Sequence, residues 1–237
     1  MHRAKRSRSV LIAVATLGFV TSGLGAMAAA VPAGASTPFQ PAGYDFPLTD
    51  AKSHQVSLTV KVPKITCKKS DKAGDVINTS ITGTTGGAAF DAAGVLVSMS
   101  CTGTTASYSA FGIVDNSTRT PTVTVQAGDV LSIAVIVSTT FETASFGDSN
   151  SGQGSYVDGT GFDASLGSVD VQGGSGSGHF PKFAPVTFNQ VRLDNKPFSR
   201  DDPVAFDQQD SGGTTQISAG PVNPKGTSFV DTYITNT

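Results

Sequence analysis

Residues 165–191 read SLGSVDVQGGSGSGHFPKFAPVTFNQV. Within them, Ser-Val-Asp-Val-Gln at 168–172 alternates polar and apolar side chains. That is the period-2 signature of a short strand with one face on a core. The longer strand that follows, FAPVTFNQVRL at 183–193, puts Val186 and Phe188 on one parity and Val191 and Leu193 on the other. A β-bulge near Asn189-Gln190 reconciles the two. Between the strands, GGSGSG at 173–178 is short enough to predict a hairpin loop rather than an interdomain linker.

The same alternation recurs outward from this stretch. Val56, Leu58, Val60 and Val62 alternate with polar residues and stop at Pro63, a half-buried strand. PTVTVQAGDVLSIAVIVS, 121–138, reads as a strand, a turn at Ala127-Gly128-Asp129 and a second, more buried strand. GTSFVDTYITNT closes the chain with a last strand. Glycine, threonine, serine and valine dominate, helical periodicity is missing, and Glu142 is the only glutamate. Many short strands with turns every 8–12 residues or so predict an all-β sandwich or barrel. No internal repeat is visible.

The chain opens with four basic residues (Arg3, Lys5, Arg6, Arg8), an apolar run over 10–27 and the small residues Ala33-Gly34-Ala35. This order predicts a secretory signal peptide over 1–35, cut after Ala35 or after Ala30. The run is nearly long enough to anchor the chain in a membrane. Its glycine and threonine content and the A-x-A site argue against an anchor, and no other run could span. Residues 36–44 read as an extended lead-in, and 45–237 as one domain. The formal charge of −2 becomes more negative once the leader is gone, which argues against nucleic acid as a partner. Cys67 and Cys101, in the exported part, predict a disulfide worth about 3–4 kcal/mol on a loop-entropy estimate. Two cysteines with His54 and His179 do not make a Cys/His zinc site, and nothing in the sequence calls for a cofactor.

Several segments in order resemble the eqolisins, the secreted glutamic peptidases, and especially their bacterial relatives. VSLTVKVPKITC at 56–67 is similar to the family's early strand and its cysteine. CTGTTASYSAFGIV at 101–114 resembles the cysteine, loop and Ser-Tyr-x-Ala-aromatic strand. TVQAGDVLSIAV at 124–135 is similar to a strand–turn–strand hairpin. HFPKFAPVTFNQVRLDNKPF at 179–198 resembles the Leu-Pro-x-Phe-x-x-Val-Thr-Phe strand, and 211–234 the bacterial C-terminal strands. The resemblance implies an antiparallel β-sandwich of two large sheets, of the concanavalin A-like kind. It also implies acid endopeptidase chemistry from a glutamate and a glutamine on one sheet. The glutamate acts as general base on a water, and the glutamine amide helps hold the tetrahedral intermediate.

Those two positions depart from the family here. The glutamate falls on Gly167, Ser168 or Val169, none a carboxylate. The glutamine, placed by Gly94, falls on Ala92. The chain has no tryptophan, and Phe111 stands where one is usual. The expectation is therefore a kept scaffold without its dyad: a secreted protein binding an extracellular peptide or glycan, or serving at a surface or in a matrix. The competing reading is an acid endopeptidase with relocated groups, Asp170 and Gln172, which share a strand face; the plainer alternative makes them an outward polar pair.

Other candidates are simpler. Asp148, Asn150 and Asp158 offer oxygen ligands for calcium, but their spacing departs from the EF-hand and suits an Asx-rich loop. His54 and His179 are isolated, and no G-x-S-x-G elbow accompanies them. Asn78-Thr79-Ser80 and Asn116-Ser117-Thr118 fit the glycosylation sequon. Tyr108 and Phe111 are the aromatics offered for ligand stacking, alongside Phe141, Phe146 and Tyr156, most of which serve equally as core.

Overall fold

The computed structural model describes residues 41–49, 53–71, 74–85, 89–116, 118–174, 180–210 and 212–235. The expected signal peptide, His179, Ser117 of the second sequon and most of the 173–178 loop lie outside them. In chain order the strands are β1 (Ala42–Pro47), β2 (Ser53–Lys61), β3 (Ile65–Thr66), β4 (Asp75–Thr85), β5 (Ala89–Thr102), β6 (Thr105–Val114) and β7 (Thr118–Arg119). They continue with β8 (Val123–Thr124), β9 (Val130–Ser138), β10 (Glu142–Asp148), β11 (Gly154–Gly159), β12 (Asp163–Gly173), β13 (Lys182–Phe183) and β14 (Val186–Leu193). The last are β15 (Lys196–Pro197), β16 (Val204–Phe206), β17 (Gln208–Gln209), β18 (Thr215–Ala219) and β19 (Phe229–Tyr233). A single 3₁₀ turn, Phe198–Arg200, is the only helical element among the described residues.

Two antiparallel sheets form a β-sandwich, which the resemblance implies and which is one of the two classes the strand pattern leaves open. The first runs β16-β1-β12-β4-β5-β6-β7, with β8 also on β6; the second runs β11-β10-β9-β2-β14-β19-β18-β17, with β15 on β14. Period-2 alternation puts Val169, Val171, Ile77, Ile81, Val95 and Val97 on the inner face of the first sheet. Val56, Leu58, Val60, Leu131, Ile133 and Val135 face them from the second. Each such fully buried side chain is worth about 1.5–3 kcal/mol. Phe188 and Phe229 stack at 4.7 Å between centroids, and Tyr44 meets Phe229 edge-on at the same distance. Gly167 packs where a side chain would enter the Phe46 ring.

Cys67 and Cys101 are joined, closing a sequence separation of 34. The bulge falls where expected: the β14–β2 register shifts between Asn189 and Arg192, and Gln190 takes φ 54°. Three expectations change. The lead-in is not all lead-in, because Ala42, Gly43 and Tyr44 already pair within the first sheet. The segments flanking 173–178 are not a hairpin: β12 lies in the first sheet, β13 pairs with β3, and β14 lies in the second sheet. Likewise β8 and β9 do not pair with each other, so the Ala127-Gly128-Asp129 turn carries the chain from one sheet to the other. Local alternation specifies a strand but not its partner, which packing decides.

Candidate functional site

The outer face of the first sheet is built by register. Strands side by side place paired residues on the same face. Asp45 pairs with Ser168, Ser168 with Ser80, and Ser80 with Gly94. One row along, Gly43 pairs with Asp170, Asp170 with Asn78, Asn78 with Leu96 and Leu96 with Phe111. Gln172 follows opposite Val76. Ala92 pairs with Thr82 on the same face. Of the three positions offered for the family's glutamate, only Ser168 points outward with Ala92; Gly167 and Val169 point into the core.

Ser168 lies level with Gly94 across β4, and Ala92 is two residues further along β5, so the two backbones are about 12 Å apart from strand spacing and rise. A glutamate and a glutamine could reach across that gap. A hydroxymethyl and a methyl group cannot. Ser168 instead donates its hydroxyl to Asp45 Oδ1. Burial raises the Asp45 carboxyl above its ordinary value, and the Ser168 hydrogen bond works against that rise.

Asp170 does meet an amide, but not the one expected. Asn78 Nδ2 donates to Asp170 Oδ2 at 2.9 Å and to Ser80 Oγ at 3.1 Å. An amide nitrogen carries two hydrogens, so these two bonds consume both. Asp170 is 2% exposed, and burial holds its pKa well above the ordinary carboxylate range. The Asn78 bond lowers it less than burial raises it, and nearby Asp45 raises it further. Asp170 Oδ1, Asn78 Oδ1 and Gln172 Oε1 are buried without a hydrogen-bond partner. No hydrogen bond joins Asp170 to Gln172. The pair is outward, as its parity predicts, yet buried rather than solvated.

The sequence pointed to Asp170 and missed Asn78, which lies 92 residues away. Its burial also closes the first sequon to glycan attachment in the folded chain, since Asn78 is buried within β4. Glu142 stands in the second sheet, on β10, and is buried, so it does not lie on this outer face.

The remaining candidates are separated. Asp148 accepts from the Asn150 and Ser151 backbone N–H groups and from Ser151 Oγ, closing the turn after β10. These hydrogen bonds, the Ser151 hydroxyl first, hold its pKa below the usual range. Asp158 sits at the other end of that hairpin, accepting from Thr143 Oγ1. Asp148, Asn150 and Asp158 therefore do not surround one point. Asn150 Nδ2 donates to Asp129 Oδ1 at 3.1 Å, as an Asx-rich loop would have it. His54 Nδ1 lies 3.1 Å from Asp194 Oδ2, and Asp194 Oδ1 accepts from Gln55 N, tying β2 to the turn after β14.

Tyr108 belongs to the inner side: its hydroxyl accepts from Ile65 N, and its ring packs against the core. It is not a stacking platform. Phe111 does face outward, with the Arg119 guanidinium 5.1 Å over its ring. Phe146 is core, while Phe141 and Tyr156 are exposed, Tyr156 at 68%. On the outer face of the second sheet, Tyr156 borders a shallow depression of about 540 Å³ lined by Ser132, Ala134, Ser145 and Gly147. No helix among the described residues is long and apolar enough to cross a membrane.

No protein-family model matches this chain, and no curated protein sequence does. Solved structures do match. Scytalido-glutamic peptidase with a transition state analog inhibitor superposes with a TM-score of 0.59 at 15% identity, covering 83% of this chain and all of that one. SCP-B, a member of the eqolisin family of peptidases in complex with the tripeptide Ala-Ile-His, gives a TM-score of 0.59 at 17% identity over the same shares. The likeness is one of fold: an antiparallel, concanavalin A-like sandwich.

Proposed function

We propose that this chain is a secreted, non-catalytic protein on the glutamic-peptidase scaffold, holding an extracellular peptide against the outer face of its first sheet. One observation carries the reading: the outward positions on β5 and β12 are Ala92 and Ser168, whose side chains are too short to converge on one carbonyl. The nearest acid–amide contact does not replace them, because Asn78 has no N–H left to offer an oxyanion. The solvent-reached part of the face, with Ser98, Ser109 and Phe111 half-buried, is where a peptide would lie. Peptide rather than glycan is favoured by the tripeptide in the SCP-B structure. Purified protein incubated with a denatured protein substrate at about pH 2–5 should give no pepstatin-insensitive cleavage. Robust cleavage would overturn the reading. Peptide and glycan arrays then separate the ligand classes, and silence on both would point to a surface or matrix role.

A second reading has its own support in the Asp170–Asn78 contact, an acid and an amide on the same outer face. In it the protein is an acid endopeptidase with relocated groups. It predicts that Asp170→Asn abolishes cleavage while the sandwich stays folded.

A further inference from the structure

Where the two sheets meet, at the start of β5 and of β10, three acidic residues come together: Asp91, Asp115 and Glu142. One carboxylate oxygen of each lies within 4.8 Å of the others. They arrive from separate elements, Asp91 on β5, Asp115 just after β6, and Glu142 as the first residue of β10. Glu142 is fully buried. Its Oε1 accepts from the Asp115 backbone N–H at 2.7 Å, but its Oε2 has no hydrogen-bond partner. A buried carboxylate oxygen left without a donor is costly unless a proton or a cation meets it.

The backbone beside the cluster is packed close against the acids. A Cβ on Gly159 would sit 2.7 Å from Glu142 Oε1 and 2.8 Å from Asp115 Oδ2, with Val114 Cβ at 2.8 Å on the third side. Any side chain there would displace both carboxylate oxygens, so glycine at 159 is what lets the two acids keep these places. Outer hydrogen bonds fix two of the acids: Ala92 N donates to Asp91 Oδ1 at 2.8 Å and Thr160 N to Asp115 Oδ1 at 3.1 Å. Neither Asp91 nor Glu142 forms an ion pair with a lysine or arginine among the described residues. All three ligands are hard oxygens from irregularly placed backbones, which suits calcium, bound at about 2.3–2.6 Å in flexible geometry, better than octahedral magnesium.

We propose that Asp91, Asp115 and Glu142 form a calcium site that pins β5 and the end of β6 to the β10–β11 hairpin across the sandwich. The proposal stands apart from any peptidase or binding reading of the outer face. Because Glu142 is the only glutamate in the chain, ¹³C labelling of glutamate carboxyls gives one resonance that reports on the site alone. The full disulfide-bonded chain, stripped with a chelator and exchanged into calcium-free buffer at about pH 8, is titrated with calcium chloride. The expected result is a saturable movement of the Glu142 resonance and one equivalent bound by calorimetry. Magnesium should give a weaker response. Asp115→Asn, which tolerates the left-handed backbone there (φ 49°), and Gly159→Ala, whose Cβ would push on Glu142 Oε1 and Asp115 Oδ2, should each weaken binding at least about tenfold. A Glu142 resonance unmoved by about 10 mM calcium would overturn the proposal and leave the cluster to protons. Wild-type affinity in both folded variants would overturn it too.

Discussion

Asp170 shows what one buried acid does in this sheet. Its Oδ2 takes the Asn78 amide, while its Oδ1 and the neighbouring Asn78 Oδ1 and Gln172 Oε1 all lack donors. These are acceptors without hydrogens, and protonating the carboxyl supplies one. Burial therefore holds the group neutral well above the pH at which a solvated aspartate ionises. Asp170→Asn replaces the carboxyl with a neutral group of the same shape that donates permanently. We expect the variant to match the wild type in thermal stability at about pH 3 and to exceed it at about pH 7, where only the wild type carries the cost of ionisation. Equal melting temperatures of the two proteins across that range would contradict this account.

At the scale of the element, the β14 bulge lets one strand serve two parities. Phe188 pairs with Val60 before it and Leu193 with Val56 after it, both inward, only because the register shifts between Asn189 and Arg192. The extra residue, Gln190, pays for this with a left-handed backbone at φ 54°. A β-branched residue tolerates that region poorly. Gln190→Val should therefore destabilise by about 1–3 kcal/mol in urea unfolding. The exposed side chain at 190 makes no hydrogen bond among the described residues that would explain such a loss. The bulge was legible in the sequence because the parity break lies within eight residues of one strand. The partners of β8, β9 and β12 were not, since a period-2 pattern marks a buried face without saying which strand lies alongside.

Across the whole molecule, buried acids collect in both sheets. Asp75 and Asp170 belong to the first, Glu142 and Asp231 to the second, and all four are nearly or fully buried. Burial is the leading cause of a raised pKa for each; Asp75, Asp170 and Asp231 lie well above the ordinary range, and Glu142 is pushed up to about 8. The sign follows directly. Below about pH 3 these groups are mostly protonated in both folded and unfolded chains, and their ionisation costs the fold almost nothing. As pH rises, the unfolded chain releases protons that the folded chain keeps, so folding loses stability. For Glu142 that window runs from its ordinary value of 4.5 up to about 8. In chelator, the melting temperature should therefore fall between about pH 4 and pH 8. A protein more stable at pH 8 than at pH 4 would show these carboxyls to be ionised and compensated in the folded state. Calcium, added at the upper end of the range, should recover part of the loss by binding the folded chain alone.

Alternation along single strands, the β-bulge, the pairing of Cys67 with Cys101 and the all-β class all stood in the linear order of residues, because each depends on neighbours along one strand, on the spacing of turns or on a count of two. So did the small or apolar side chains at Ala92 and at 167–169. Only the tertiary structure brought Asn78 to Asp170, turned Tyr108 inward, parted Asp148 from Asp158 and gathered Asp91, Asp115 and Glu142 over Gly159. Those are contacts between strands far apart in the chain, and their physical cause is register: which strand lies beside which, and by how many residues it is shifted, is decided by the joint packing of two sheets.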